Sequence, residues 1–545
     1  ISDIPDDMWS PFKQLYKVIE QTVINPNEAA ISNLEVCLKR HKQIFVNLLR
    51  NPPKSEANRS QLRAYVTQGV PIHASGRALP ISKDLIEEAM IISDMFDLDE
   101  FLALELLCTA QHQMIHYPRL PRGLVAILLY YDGRKAVANS IRDLFQITSG
   151  ISWVPESPTK LVQLVSSFSQ TLVDDSNILD RIVDLLNELD IVKEMALLTK
   201  NRALGDNKHQ NQVIELFEDI RISLAMALFN WSAQRGLPKM NTLKLIKSLS
   251  QHKSLEANGE IENTTLAMLM ALLYSYDTSI LQKQDDSHLI QNLYIIKDHE
   301  YVQHVYNALM NESNSDHNSG ILSLVKFSFG LAISGLRHAS QYMHNHTTVT
   351  DYDEQLIDEA ICSNVFKFIY CYVLEKEMTY QNQFFYRRIH MLFTDFIDFM
   401  HSKVTELRGR ADETSKTVVS FTSQGLEPPT NLDYNFEMLL LCIGKFYADD
   451  KAGLSLCSEY WGPLEPSTNY VTTTRSVSLF KFIRLAGELL PATLFVPYLK
   501  MIAGLSSCER SSRSTFNLLK QSAGLTGSNA LSWEHFFSSL SRYYT

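Results

Sequence analysis

Few side chains in this 545-residue sequence are spaced for chemistry. His112 and His116 stand four apart near a helix end, where two imidazoles can share a metal ion. Tyr117-Pro118 ends that helix at once and no third ligand is near in sequence, whereas a closed zinc site takes four. They read as surface histidines, and so do His338, His344 and His346 in a polar stretch. Glu105 is a single charge inside an apolar helix. Burial alone would raise its pKa and make it an acid, but a Lys or Arg partner from a neighbouring helix is the expectation. Arg387, Arg388, Lys403, Arg408 and Arg410 would suit a phosphate, yet Asp395, Asp398, Glu406, Asp412 and Glu413 interleave with them, which favours a solvated helix face. The motifs GxxxxGK[ST], GxSxG and HExxH are absent, as is a GxGxxG after a strand. No catalytic, cofactor-binding or metal-binding residue is assigned, and the chain is read as non-enzymatic.

Two aromatic groups remain, Tyr460-Trp461 and Trp533-Glu-His-Phe536-Phe537. Aromatic stripes are usually core. Trp461, Trp533, Phe536 and Phe537 are nevertheless the candidates for a groove that accepts a partner's apolar anchors.

The elements that carry these residues read as helices throughout. From Leu79 to Phe145 the pattern predicts four. The first, Ser82 to Phe96, has Leu85, Ala89, Ile92 and Phe96 on one face, with Ser82 as its cap. Asp97 and Glu100 fit a capping box that opens the second, to about Gln111, which is apolar on two faces. The third, Gly123 to Tyr131, is expected to stop at Asp132-Gly133, with the fourth following directly. Further on, Val213, Phe217, Ile220, Leu224, Leu228 and Trp231 form one stripe over a long helix from about Asn207 to Gln234. Single helices are also predicted at Glu354 to Leu374 and Gln381 to Arg408. Loops are predicted at Lys54 to Arg77, with a helical turn as the alternative over Gln61 to Thr67, and at Thr148 to Pro158, Asn311 to Ser319, Gly425 to Asn431 and Gly462 to Ser478. No segment alternates long enough for a strand of a sheet.

Composition agrees with a stack of such helices. The 20 glycines and 18 prolines are few for this length, and 45% of residues are hydrophobic. Successive helices that are apolar on more than one face call for an all-α, extended superhelical solenoid of HEAT-like or armadillo-like pairs. The chain is expected to be one N-terminal solenoid region over 1–545, with sub-blocks 1–310 and 320–545, truncated at its C-terminal end. A net charge of −11 argues against a generic nucleic-acid surface. The seven cysteines, without a CxxC pair, read as reduced, buried thiols. The start has no signal-peptide pattern, and apolar runs such as Leu124 to Leu129 fall short of a membrane span.

Several segments resemble the giant inner-ring scaffold nucleoporins. They are WSPFKQLY at Trp9, RNPPK at Arg50, SDMFDLDEFLALELL at Ser93, RGLVAILLYYDGRKAVANSIRDL at Arg122 and LAMLMALLYSYD at Leu266. RGRADE at Arg408, EYWGPLEP at Glu459, LLPATLFVPYLKMIAGL at Leu489 and SWEHFFSSL at Ser532 follow in the family's order. The resemblance implies a structural subunit of the nuclear pore complex at the nuclear envelope, without catalytic activity or cofactor. It also implies partners: linker nucleoporins of the nucleoporin 35 (yeast 53) type at this region, and of the nucleoporin 93 type nearer the C-terminus. The family's pocket for the first is apolar and includes a tryptophan, for which Trp533 is the candidate. The segments Asn311 to Thr350 and Leu464 to Ser478 do not match well. The sequence is not that of a barrier nucleoporin, since it has a single Phe-Gly dipeptide, Phe329-Gly330. The alternative reading is a soluble transport receptor of the importin type, which is also an acidic helical solenoid and binds the small GTPase Ran.

Overall fold

A computed structural model describes residues 9–71, 78–251, 259–282, 287–312, 319–339, 351–462, 470–522 and 531–544. Among them strand is confined to the antiparallel pair Val70–Pro71 and Ala78–Leu79, and the rest of the regular structure is helical, packed in neighbouring pairs. The architecture is an all-α solenoid. The chain forms two compact units, Ile1–Arg235 and Gly236–Thr545.

In the first unit the region expected to hold four helices holds three: Lys83–Phe96, Glu100–Gln113 and Arg122–Ile147. Asp132-Gly133 does not stop the last of them. A glycine inside a helix costs about 1 kcal/mol, and here that is offset by burial on both sides of the break. Tyr130, Tyr131, Val137, Ile141 and Leu144 all lie in the core, where the helix packs on Trp9–Ile24, Glu100–Gln113 and Asn207–Arg235.

The capping box is also replaced. Asp97 takes the left-handed conformation (φ 47°) and ends the first helix. Asp99 caps the second, its carboxylate accepting from the Phe101 and Leu102 N–H groups at 3.0 and 3.3 Å. Glu100 instead bonds to residues earlier in the chain. It is 1% exposed and accepts from the Ser55 N–H at 2.9 Å and from Arg59 Nε at 3.0 Å. Arg59 also grips Asp94 at 2.6 Å. It stands on the helix Glu56–Gln68, in a segment whose polar composition reads as loop. That helix persists because its arginine neutralises a buried carboxylate two helices away. Residues 72–77 of the expected loop lie outside the described residues.

The break at Thr148 to Pro158 is real, and it is held down by one buried side chain. Gln234 is inaccessible; its amide donates to the Thr148 and Trp153 carbonyls at 3.1 and 2.8 Å, and its oxygen accepts from the Ser152 and Trp153 N–H groups at 2.9 and 3.2 Å. Every bonding position of the amide that faces the loop is used.

In the second unit, all residues from Thr264 to Ser275 are buried. The helix Ser319–His338 is similar, and its stretch Gly320–His338 is the one span among the described residues long and apolar enough to cross a membrane; 89% of its most apolar window is buried inside the protein, as in a core helix. The expected helix Gln381 to Arg408 is two, Gln383–Phe399 and His401–Ser423, turning at Met400 (φ −111°, ψ 42°). No breaker marks the turn because it needs none: the Met400 N–H still donates to Phe396 and its carbonyl still accepts from Val404. The expected helix Glu354 to Leu374 is likewise split, at Asn364 (φ 58°), into Tyr352–Cys362 and Val365–Phe368 with a wider turn after it. In the expected loop Gly462 to Ser478, residues 463–469 lie outside the described residues, and a helix, Tyr470–Gly487, starts within it. Arg475 explains that helix: it is buried and pairs with Asp395 at 2.8 Å.

The helices Asn435–Tyr447 and Ala492–Leu505 touch through their backbones. A Cβ on Gly504 would stand 2.2 Å from the Gly444 carbonyl oxygen, and one on Gly444 would stand 2.6 Å from that of Lys500.

Three tests follow from this packing and these ion pairs. Gly504→Ala is expected to destabilise the chain by about 3 kcal/mol, since backbone cannot give way as a side chain can. Gly409→Ala, on an exposed helix position with nothing within 4 Å, is expected to stabilise it by about 0.5–1 kcal/mol; urea unfolding of both variants reads the two signs. Arg59→Ala, which strands the Glu100 carboxylate, is expected to cost on the order of 3 kcal/mol, and much less in a Glu100→Gln background. The hydrogen bond from Arg59 holds Asp94 below the usual carboxylate range. Burial opposes ionisation of Glu100, but the Ser55 N–H, its own backbone N–H and Arg59 outweigh it and hold that group low as well. Their contribution is therefore complete above the unfolded carboxylate values of about 4 and is lost as pH falls below them. Unfolding midpoints taken from about pH 6 to about pH 3 should fall more steeply for the wild type than for Arg59→Ala.

Candidate partner-binding site

The described chain closes on the helix Trp533–Tyr544. Leu531 and Ser532 before it are buried. Ser532 acts as its cap, its hydroxyl 2.8 Å from His535 Nδ1 and its carbonyl accepting from the Phe536 N–H at 3.1 Å. None of the helix's own side chains is buried. Trp533 and Phe536 are half-buried, while Phe537 is 60% exposed and Tyr544 85%. Trp533, Phe537, Leu540 and Tyr544 follow one another at intervals of four, three and four, which sets them on one face.

Under this face lies Phe516 of the helix Glu509–Ser522. The Trp533 indole N–H donates to the Phe516 carbonyl at 3.4 Å, and the two rings are 5.8 Å apart. Phe537 lies nearly parallel to Trp533 at 6.1 Å, and Phe536 meets it edge-on at 6.4 Å. Trp533, Phe536 and Phe537 are thus brought together, and Phe516, half exposed, completes the group. Sequence reasoning missed Phe516. The available signal was its place two residues before Leu518, on the side of the helix away from that buried leucine.

Trp461 makes its contacts elsewhere. It is half-buried at the end of the short 3-10 helix Leu456–Trp461; its N–H donates to the Leu505 carbonyl at 2.9 Å and its ring lies 6.3 Å from Phe480. It satisfies one of the carbonyls left open where the helix Ala492–Leu505 ends. Its neighbour Tyr460 is fully buried.

Around Tyr460 runs the polar network that most resembles acid–base machinery. His390 Nδ1 is 2.6 Å from the Tyr447 hydroxyl and Nε2 is 3.1 Å from Glu459, while Tyr447 donates to Tyr460 at 3.3 Å. Burial opposes ionisation of Glu459, but His390 and Arg475 outweigh it and hold the carboxyl below its ordinary value. Burial pushes Asp395 up in spite of its bond to Arg475. These groups spend their bonds on one another, which is how buried polar side chains are satisfied in a core.

The remaining candidates resolve as structural groups. His112 and His116 are exposed. His338 bonds to the Ser334 carbonyl at 2.8 Å and stacks on Phe399, and His344 and His346 lie outside the described residues. Among the described residues, no group of three or more His, Cys, Asp or Glu side chains is placed to hold a metal ion. Glu105 is half-buried, and the buried carboxylate of its helix is Glu100. The five basic residues do not form one solvated face: Arg388 and Arg408 are buried and donate to the Leu273 and Glu488 carbonyls. Lys403 and Arg410 pair with Asp358, Glu406 and Asp433. The local carboxylates neutralise what a phosphate would need.

The sequence model for the nuclear pore complex scaffold, nucleoporins 186/192/205, matches residues 9–545. The chain is 51% identical over 545 residues to the nuclear pore complex protein Nup205 of Drosophila melanogaster, covering 99% of this chain and 26% of that protein. It is 34% identical over 558 residues to Nup205 of Homo sapiens, covering 98% of this chain and 28% of that protein. The chain therefore spans about a quarter of the length of the curated relatives it matches. On these matches and on its all-α stack of helical pairs, the chain belongs to the nuclear pore complex scaffold family of nucleoporins 186/192/205.

Proposed function

We propose that this chain is a non-catalytic structural part of the nuclear pore inner ring that captures a short linear motif of a linker nucleoporin of the nucleoporin 35 type. Nucleoporin 93-type linkers engage the remainder of the longer polypeptide. The observation that carries the reading is the aromatic face of Trp533, Phe537 and Tyr544 over Phe516, exposed on a helix none of whose own side chains is buried. An apolar surface of this kind suits two or three anchors of an extended or helical peptide. Family membership supports a role in the pore scaffold, for which stable residence at the nuclear rim is expected and Ran binding is not.

Calorimetry with a nucleoporin 35-type peptide bearing apolar anchors tests the site. The expected affinity is micromolar or tighter, and Trp533→Ala is expected to weaken it by about 2 kcal/mol, roughly 30-fold. Trp461→Ala should lower the unfolding midpoint through its lost bond to Leu505 and leave the affinity close to wild type. Unchanged affinity in Trp533→Ala would remove that residue from the site.

A further inference from the structure

The helix Glu509–Ser522 starts from Cys508, whose carbonyl accepts the Ser512 N–H at 2.9 Å. The Cys508 sulfur faces that of Cys457, on the 3-10 helix that carries Trp461, at 3.8 Å. Two thiols in contact at this distance are about 2 Å from the length of a disulfide bond. Hydroxyls surround them. Ser511 Oγ lies 3.0 Å from Cys508 and 3.5 Å from Cys457, and Ser507 Oγ lies 3.3 Å from Cys457.

The two sulfurs are in unlike settings. Cys457 is 1% exposed and burial pushes its thiol up. Cys508 is half-buried; burial acts on it in the same sense, but hydrogen bonds from the Ser511 side chain and backbone and from Cys457 outweigh that and hold it below the ordinary thiol value. The more accessible sulfur is thus the easier of the two to ionise, and the enclosed one stands behind it. That is the order an attacking and a resolving cysteine need. All seven cysteines are free thiols, and not all are buried as their type suggested: Cys362 is exposed, and only Cys442 and Cys457 are fully enclosed.

We propose that Cys457 and Cys508 form a peroxide-responsive dithiol that closes to a disulfide and staples the 3-10 helix Leu456–Trp461 to the helix Glu509–Ser522. The Cys508 thiolate attacks one oxygen of hydrogen peroxide; the O–O bond breaks, and sulfenic acid and hydroxide form. The Cys457 sulfur then attacks the sulfenic sulfur. The S–O bond breaks as the S–S bond forms, and the Cys457 proton leaves with the departing hydroxide as water. In sum, two thiols and one peroxide give one disulfide and two waters, and an external dithiol reverses the reaction. Because Phe516 stands on the stapled helix, oxidation fixes the element beneath the aromatic face. The chemistry holds whether or not that face binds a peptide.

Peptide mapping of the wild-type chain, treated with hydrogen peroxide, alkylated under denaturing conditions and cleaved with trypsin without reductant, tests this. The expected product joins the peptide Ala452 to Arg475 with the peptide Met501 to Arg510, two of the seven thiols become unreactive, and dithiothreitol restores both. Cys508→Ser should abolish the linked pair, and Cys362→Ser should leave it in place. Two results would overturn the proposal: both cysteines still alkylated after peroxide, or Cys508 converted to sulfinic acid with no linked peptide. Because the wild-type map decides between these outcomes, the test does not depend on a variant that folds.

Discussion

The contact between Gly444 and Gly504 sets how the last part of the second unit is assembled. With no side chain at either position, the helices Asn435–Tyr447 and Ala492–Leu505 approach until backbone meets backbone. The later helices take their places from that crossing. Tyr498, on the second of the pair, donates to the Ile483 carbonyl at 3.2 Å and lies against Gly487 where a Cβ would clash. Leu505, at its end, offers the carbonyl that holds Trp461. Ser506 then bonds across to Thr515 at 2.6 Å and positions the helix on which Phe516, and through it Trp533, rests. A solenoid passes constraint from neighbour to neighbour in this way, since each helix buries its faces only against the adjoining ones.

That dependence explains what could be read from sequence. The helix Asn207–Arg235 was legible to within a residue because its stripe, from Val213 to Trp231, is periodic over its whole buried length. Local rules failed where a tertiary contact outranked them. Gly133 is a helix stop by propensity, yet it sits in a helix buried on several sides. Asp97 is a good cap by type, but Asp99 holds that role and Glu100 is committed to Arg59, a partner 41 residues away. Arg475 lies in a segment whose threonines and prolines read as loop, and it becomes helical around an ion pair with Asp395. In each case the deciding partner is distant in sequence and cannot be counted from a local pattern.

The candidate site shows the same division. Aromatic clustering near the C-terminal part of the chain was visible as composition. Which rings are core and which are surface was not, because Tyr460 and Trp461 are adjacent in sequence and only Tyr460 is fully enclosed. The His390 network adds a caution of a chemical kind. Its histidine lies between a phenol and a carboxylate at hydrogen-bond distance, an arrangement that in a cleft would suggest proton transfer. Here it joins the 3-10 helix to two neighbouring helices, as buried polar groups do when each must find a partner.

The exposure of the aromatic face bears on how tightly a scaffold of this kind can hold a flexible partner. A micromolar complex has a binding free energy of about −8 kcal/mol. Truncating one large aromatic anchor typically costs about 2 kcal/mol or more, and ordering a disordered segment costs about 2–5 kcal/mol. A single patch such as that of Trp533, Phe537 and Phe516 therefore suits an interaction at the micromolar end of the expected affinity. Strength comes from linkage. A linker that carries several motifs faces its second site at an effective concentration of the order of millimolar, and avidity can exceed either affinity by about 100-fold or more without any new contact. On this argument a small aromatic face is adequate for the proposed role, in which a flexible partner is held at several points.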